Sequence, residues 1–70
     1  MHALSPRERD VLYWASVGKT IDETAMILGL AWGTVKSHRD HAAVKLGAPN
    51  ICSACVQAIT QGLVSLNEKH

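Results

Sequence analysis

The sequence has no phenylalanine, and its aromatic residues are two tryptophans and one tyrosine among 70 residues. A chain this short, with so few large side chains, forms one small domain whose core supplies only a few kcal/mol of stability. Free-standing enzymes are seldom this small. We therefore expect a chain that acts as a dimer, as a module bound to a larger molecule, or as part of a larger protein.

The sequence also lacks a long hydrophobic run. No stretch approaches the ~20 apolar residues that a membrane helix needs, and no basic segment followed by an apolar one opens the chain as in a signal peptide. We therefore predict a cytoplasmic protein. Its two cysteines, Cys52 and Cys55, stand three positions apart, and in a reducing cytoplasm we expect both to be free thiols.

A strong charge of either sign is missing as well, because the formal net charge is only +1. That value alone does not indicate a nucleic-acid ligand, so the distribution of charge along the chain matters more. Residues 31–46 contain three cationic residues, Lys36, Arg39 and Lys45, against the single carboxylate of Asp40. This local excess of positive charge favours a surface that contacts phosphates.

Apolar residues recur with helical spacing in four segments, and no segment alternates as a β-strand does. The predicted helices cover residues 6 to about 17, 21 to 28, 32 to 46 and about 51 to 61. The first two begin at capping boxes, Ser5 to Glu8 and Thr20 to Glu23, in which side chains satisfy free backbone amides.

A helix-turn-helix is the most specific feature of this arrangement. Gly29 can adopt the positive φ that ends the second helix and redirects the chain within a few residues. The longer, more basic third helix follows at once, and a helix fits a DNA major groove ~12 Å wide. We predict an all-α, four-helix bundle containing a helix-turn-helix, organised as one domain over residues 1–70 with a core of residues 4–64 and a tail of residues 65–70.

The spacing of apolar and polar residues in the third helix predicts one face that packs on the core and one face that meets a ligand. The residues that fall on the packing side are Val35, His38, Ala42 and Leu46. The residues left facing outward are Gly33, Lys36, Ser37, Asp40 and His41.

Three of the outward residues suit base edges in a major groove. Lys36 can donate to guanine O6 or N7, Ser37 can bond to almost any base edge, and Asp40 can accept from cytosine N4. Asp40 also stands four residues after Lys36, so it can instead be a helical ion-pair partner or a solvated residue.

Other residues are candidates for phosphate contacts, which fix register without reading sequence. They are Lys19, Thr20 and Thr34 near helix starts, Arg39 with its stem over the core, and Lys45. The alternatives are a charged loop residue for Lys19, a purely structural cap for Thr20, and a solvated residue near a helix C-terminus for Lys45.

The fourth helix carries more apolar residues than one buried side requires. One side must cover the core, and the other leaves Cys52, Val56 and Ile59 as a surface for a second copy. Two-fold pairing would place two third helices about one DNA turn apart, roughly 34 Å. The alternative is a monomer in which Cys52 and Cys55 are ordinary small apolar residues.

Metal, redox and catalytic sites find less support in the sequence. Two cysteines and four histidines are present, but a zinc site needs a second ligand pair at a definite spacing. Neither a triad-like set nor a glycine-rich phosphate loop occurs. We therefore predict no enzyme activity, no cofactor and no metal site.

Taken together, the residues resemble the LuxR-type helix-turn-helix domain over residues 4–64. The matching positions are Leu4 to Leu12, Ala15, Gly18 to Thr20, Glu23, Ala25, Leu28, Thr34 to Lys36, His38, Lys45 to Gly47, Ala54, Ala58, Gly62 and Leu63. The resemblance implies a four-helix unit at the C-terminal end of a transcription regulator, with its third helix in the major groove of double-stranded DNA and its fourth paired in a homodimer. It also implies that Thr34, Lys36 and Lys45 face the DNA.

A signal-binding or phosphoreceiver domain ahead of this unit is a further implication of the resemblance. The chain is then either an excised C-terminal domain or a stand-alone regulator, and both remain open. Trp14 and residues 18–20 and 36–38 resemble the quorum-sensing branch more than the response-regulator branch.

Several positions depart from the family pattern, among them Arg39, which stands where an aliphatic residue often faces the core. Ala31 replaces the usual Ser or Thr cap of the third helix, a loss that typically costs ~1 kcal/mol; Trp32 replaces an acidic residue, and Thr24 an aliphatic one. Trp32 can pack across the turn or lie against the DNA backbone. With Ala31, Trp32 and Asp40 as its evidence, an alternative is a protein-interaction module that has kept the helix-turn-helix shape and lost DNA binding.

Overall fold

Within residues 4–64, which the computed structural model describes, the chain forms four α-helices. α1 spans Pro6–Ser16, α2 spans Ile21–Leu28, α3 spans Trp32–Lys45 and α4 spans Ile51–Thr60. The predicted all-α fold is confirmed. Three predicted helices run one residue too far, because Val17, Leu46 and Gln61 are the C-caps. The predicted tail, residues 65–70, lies outside the described residues.

Both predicted capping boxes are confirmed. At α1, Ser5 Oγ accepts from the Glu8 N–H at 3.2 Å, and Glu8 Oε1 accepts from the Ser5 N–H at 2.9 Å. At α2, Thr20 Oγ1 accepts from the Glu23 N–H at 3.1 Å, and Glu23 Oε1 accepts from the Thr20 N–H at 2.9 Å. Residues within one helical turn therefore determine where α1 and α2 begin.

A short turn joins α2 and α3 into the predicted helix-turn-helix. Gly29 ends α2 in the left-handed conformation, with φ 69° and ψ 36°, where a side chain costs roughly 1–2 kcal/mol. The Leu30 N–H then donates to the Ala25 carbonyl at 3.0 Å. α3 begins directly after Ala31, which provides no side-chain cap, as the sequence predicts. The turn thus sets the direction of α3 through backbone conformation.

The core lies where α1, α3 and α4 meet. Its fully buried residues are Leu12 of α1, Ala42 of α3, and Ala54 and Ala58 of α4. Val11 of α1 and Val35 of α3 are also fully buried, outside this cluster. α2 contributes the buried Thr24, whose Oγ1 donates to the Thr20 carbonyl at 2.8 Å, so the buried hydroxyl is satisfied locally. The core therefore holds α3 by one face and leaves its other face open.

Candidate nucleic-acid interface

α3 presents one exposed face along its length. The exposed residues of that face include Gly33, Thr34, Lys36, Ser37, Asp40 and His41. The opposite face is buried at Val35 and Ala42, whereas His38 and Leu46, also predicted to face inward, are half-buried. The predicted outward position of Gly33, Lys36, Ser37, Asp40 and His41 agrees with the structure, and Thr34 is exposed beside them.

Lys36 and Asp40 form an ion pair on this exposed face. Lys36 Nζ lies 2.9 Å from Asp40 Oδ2, and the two side chains keep 51% and 61% of their surface exposed. Of the alternatives for Asp40, the helical ion pair is the one observed. An exposed pair of this kind contributes only about 0.3–0.5 kcal/mol. Lys36 can therefore exchange Asp40 for another acceptor at little cost.

Lys45 lies away from the exposed face and pairs with α1, and its phosphate contact stays a prediction. Its Nζ donates to Glu8 Oε1 on α1 at 2.8 Å, and the Lys45 and Glu8 side chains are only 30% and 6% exposed. Lys45 stands three residues after the buried Ala42, so helical spacing carries it toward the packed side of α3. Its ammonium group is part of an ion pair between helices.

Glu8 is the partner that sequence reasoning missed. Burial raises the pKa of the Glu8 carboxyl, but hydrogen bonds from Lys45 and the Ser5 N–H, together with the Lys45 charge, outweigh burial and hold that pKa below its ordinary value. The available signal was spacing, because Glu8 precedes the buried Val11 and Leu12 by three and four residues and shares their side of α1.

A basic strip leads from the exposed face of α3 to the loop before α2. Arg39, which is half-buried, lines two cavities; one also includes Lys36, and the other also includes Lys19. We call Lys19, Arg39 and Lys36 the basic strip. Within residues 4–64, neither Lys19 nor Arg39 forms an ion pair with a carboxylate. Folding therefore brings together cations that are distant in the sequence.

Thr20 lies at the start of α2, next to the basic strip. Its hydroxyl accepts the cap bond, which supports the structural interpretation, yet the same hydroxyl keeps a hydrogen to donate. The Thr20 N–H, helped by the Lys19 charge, holds the pKa of the Glu23 carboxyl below its ordinary value against the opposing effect of burial. The cap carboxylate therefore stays ionised at neutral pH.

Two large apolar side chains of α3 remain open. Trp32 keeps 50% of its surface exposed and Val44 keeps 77%. About half of the Trp32 surface therefore stays available to a ligand.

α4 leaves an apolar surface opposite its buried Ala54 and Ala58. Val56 is 64% exposed, Ile59 is 41% exposed, and Cys52 is exposed at the same side. We call Cys52, Val56 and Ile59 the α4 surface. Both cysteines are free thiols, and Cys55 is half-buried.

Two other kinds of feature are absent from the part of the chain that the structure describes. No group of three or more His, Cys, Asp or Glu side chains is placed to hold a metal ion. None of the described helices has the length and apolar character needed to cross a membrane.

Comparison with known families supplies the identity of the chain. Residues 2–58 match the family described as bacterial regulatory proteins, luxR family. The chain belongs to this family. The LuxR-type resemblance of the residues is thereby confirmed, and the luxR family is one of transcription regulators rather than enzymes.

Curated relatives of this luxR-family chain are longer proteins. The transcriptional activator protein YukR of Yersinia ruckeri is 53% identical over 47 residues, which cover 67% of this chain and 20% of YukR. The HTH-type quorum sensing-dependent transcriptional regulator RpaR of Rhodopseudomonas palustris is 46% identical over 63 residues, which cover 90% of this chain and 26% of RpaR. The chain thus spans about a quarter of the length of such relatives.

Among solved structures, the chain is similar to one described as the structure of transcription factor GerE. The TM-score is 0.86 at 22% sequence identity, over 94% of this chain and 100% of that one. This likeness supports the luxR-family fold.

Proposed function

We propose that this chain is a sequence-reading DNA-binding domain of a transcription regulator, and that α3 enters the major groove. The observation that carries the proposal is the division of α3 into a buried apolar face and an exposed polar face. A helix held in this way by the other three helices can be presented to a groove without loss of the core. Helix-turn-helix proteins place the second helix of the motif in that position.

Base edges are the proposed ligands of the exposed polar face. Lys36 donates to guanine O6 or N7 after leaving Asp40, and Ser37 adds a contact of either polarity. Asp40 then accepts from a cytosine N4 or remains beside Lys36. Gly33 and His41 flank this group: Gly33 has no side chain and allows a close approach of the DNA, and the His41 ring adds nitrogen atoms that can form hydrogen bonds.

Phosphates are the proposed ligands of the surrounding donors. Lys19 and Arg39 of the basic strip, with the hydroxyls of Thr20 and Thr34, lie beside or on the exposed face and can fix the register of the domain on DNA. Lys45 is omitted from the proposed interface because its ammonium group binds Glu8.

Pairing through the α4 surface is a further part of the proposal. Val56 and Ile59 expose apolar area that a second copy would cover, and two-fold pairing would place the two α3 helices about one DNA turn apart, roughly 34 Å. A homodimer would therefore read a near-palindromic site.

The lengths of the relatives support the proposal that this domain is part of a larger protein. RpaR is described as quorum sensing-dependent and is about four times as long as the matched region. We infer that this domain works with an N-terminal signal-binding or receiver domain, in the cytoplasm where bacterial DNA is found.

A protein-interaction module without DNA binding is the second candidate function. The exposure of Val44 and Trp32 on α3 favours it, because large apolar side chains are more typical of protein contacts than of a groove. A basic strip beside the same face favours DNA, and binding measurements separate the two functions.

Replacing Lys36 tests the proposed base contact. We expect Lys36→Ala to reduce discrimination among bases at one position by about 1–3 kcal/mol, because a donor to a base edge is lost. The measurement is fluorescence anisotropy against the preferred duplex and its single-base variants.

Arg7→Ala is a matched control for this test. Arg7 lies on α1 and pairs with Asp10 at 3.6 Å, and both side chains are 44–46% exposed, so this variant also breaks an exposed ion pair. We expect it to leave base discrimination unchanged. If Lys36→Ala binds every duplex as the parent does, Lys36 reads no base.

A further inference from the structure

Two thiols and two cations line one cavity that the proposed DNA contacts only partly use. The cavity, of about 360 Å³, lies between the end of α1, the middle of α3 and the start of α4. Its chemically reactive or charged lining residues are Lys19, Arg39, Cys52 and Cys55. The combination of nucleophiles with fixed positive charge suits a ligand that carries both sulfur and carboxylates.

The two thiols differ in accessibility. Cys52 is exposed, whereas Cys55 is half-buried and its Sγ lies 3.9 Å from the Leu12 carbonyl, to which it donates. Cys52 is therefore the thiol that an incoming molecule meets first in the unpaired protein, before a second copy covers the α4 surface. Cys55 lies about one turn further along the same helix and is less accessible, so it reacts second.

The first turn of α4 allows the two sulfurs to approach each other. Side chains three residues apart on an α-helix have Cβ atoms about 5–6 Å apart, and a disulfide needs about 3.5–4.5 Å. A 3₁₀ turn, common at helix N-termini, eclipses positions i and i+3 and closes that gap. Cys52 and Cys55 are the second and fifth residues of α4, so only its first turns must tighten.

The cations determine which sulfur compound fits the cavity. Within the described residues, neither Lys19 nor Arg39 forms an ion pair with a carboxylate, and both line the cavity with the thiols. Carboxylates of a small peptide disulfide would therefore gain charge-assisted hydrogen bonds there.

We propose that this cavity is a thiol–disulfide exchange site for an anionic low-molecular-weight disulfide of the glutathione type. The Cys52 thiolate attacks one sulfur, the disulfide bond breaks, and one thiolate leaves as Cys52 becomes a mixed disulfide. The Cys55 thiolate then attacks Cys52 Sγ and releases the second thiolate. The protein dithiol is oxidised to the Cys52–Cys55 disulfide, and one small disulfide is reduced to two thiols.

Exchange at this cavity would also affect DNA binding, an effect that rests on the proposed function. Carboxylates held at Lys19 and Arg39 compete with DNA phosphates for the same cations. A mixed disulfide at Cys52 is therefore expected to bind DNA more weakly than the reduced protein.

Mass spectrometry of the full 70-residue chain tests the exchange without DNA. Reduced protein is incubated with glutathione disulfide or with the neutral bis(2-hydroxyethyl) disulfide, in buffer and in urea. We expect the parent to lose two hydrogens, Cys55→Ser to accumulate one glutathione adduct on Cys52, and Cys52→Ser to react slowly. In the folded state, Lys19→Gln with Arg39→Gln should slow reaction with glutathione disulfide roughly fivefold and leave the neutral reagent unaffected.

The outcomes separate this inference from the proposed function. Absence of the Cys52 adduct in folded Cys55→Ser, an adduct that persists in the parent, or a reaction indifferent to the two cations would each overturn the exchange site. If the exchange occurs as expected but the reduced protein binds no DNA, the exchange site stands and the proposed function fails.

Discussion

Lys45→Ala is expected to lower the free energy of unfolding by about 2 kcal/mol, because it removes the partner of a buried carboxylate. Lys45 Nζ and Glu8 Oε1 are 2.8 Å apart, and Glu8 keeps only 6% of its side-chain surface exposed. The Ser5 N–H still reaches Glu8 Oε1 in the variant, which limits the loss. For a small domain this loss is a large share of total stability. Urea unfolding followed by tryptophan fluorescence measures it.

Lys36→Ala is the matched control, since it removes a lysine of the same helix from an exposed ion pair. We expect a loss below about 0.5 kcal/mol. Lys45→Met keeps part of the apolar stem without its charge, so it separates the charge from the packing of that stem. Equal small losses in all three variants would contradict a stabilising role for the Glu8–Lys45 pair.

The dependence of stability on pH gives an independent view of the same pair. The pKa of Glu8 is lowered in the folded state, so its contribution is present above the ordinary glutamate pKa, about 4.3, and is lost as the pH falls through the lower folded value. In Lys45→Met, burial is no longer outweighed to the same extent and that pKa rises. The difference in stability between parent and variant should therefore shrink as the pH falls.

Val56→Asp is expected to weaken binding to a duplex with two half-sites by about 100-fold, while a single half-site loses little. Val56 is 64% exposed on α4, and two facing aspartates would repel within an apolar contact. Linked half-sites gain a factor of about 10²–10⁴ from simultaneous engagement, and loss of pairing removes it. One duplex carries two half-sites roughly one turn apart, and the other carries a single half-site. Anisotropy titrations on both duplexes give the ratio of their affinities for parent and variant.

Met26→Asp controls for the added negative charge, because Met26 is 84% exposed on α2 and lies outside the α4 surface. This variant should weaken binding to both duplexes to the same small extent. If Val56→Asp lowers the affinity for one and for two half-sites by the same factor, the case for pairing through α4 is removed.

The features predicted correctly from the sequence depend on residues close to each other in the chain. Ser5 with Glu8, and Thr20 with Glu23, act within one turn, and Gly29 acts through its own backbone conformation. The outward face of α3 follows from helical period alone, once its buried side is recognised from apolar residues.

The features that sequence reasoning missed depend on contacts between helices. Lys45 and Glu8 are 37 positions apart, and their pairing arises only when α1 packs on α3. The shared cavity of Lys19, Arg39 and the two cysteines likewise requires α1, α3 and α4 to meet. Charge counted along one helix does not reveal which cations are already partnered across the core.

The measurement that tests the central claim most directly is anisotropy of this chain with random duplex DNA and with a fraction enriched for binding, each over a salt series. We expect tighter binding to the enriched DNA, and an affinity that falls with salt with a slope of ~0.9 per phosphate contact. Equal affinity for the two pools, or no binding at low salt and high protein concentration, would contradict a sequence-reading domain.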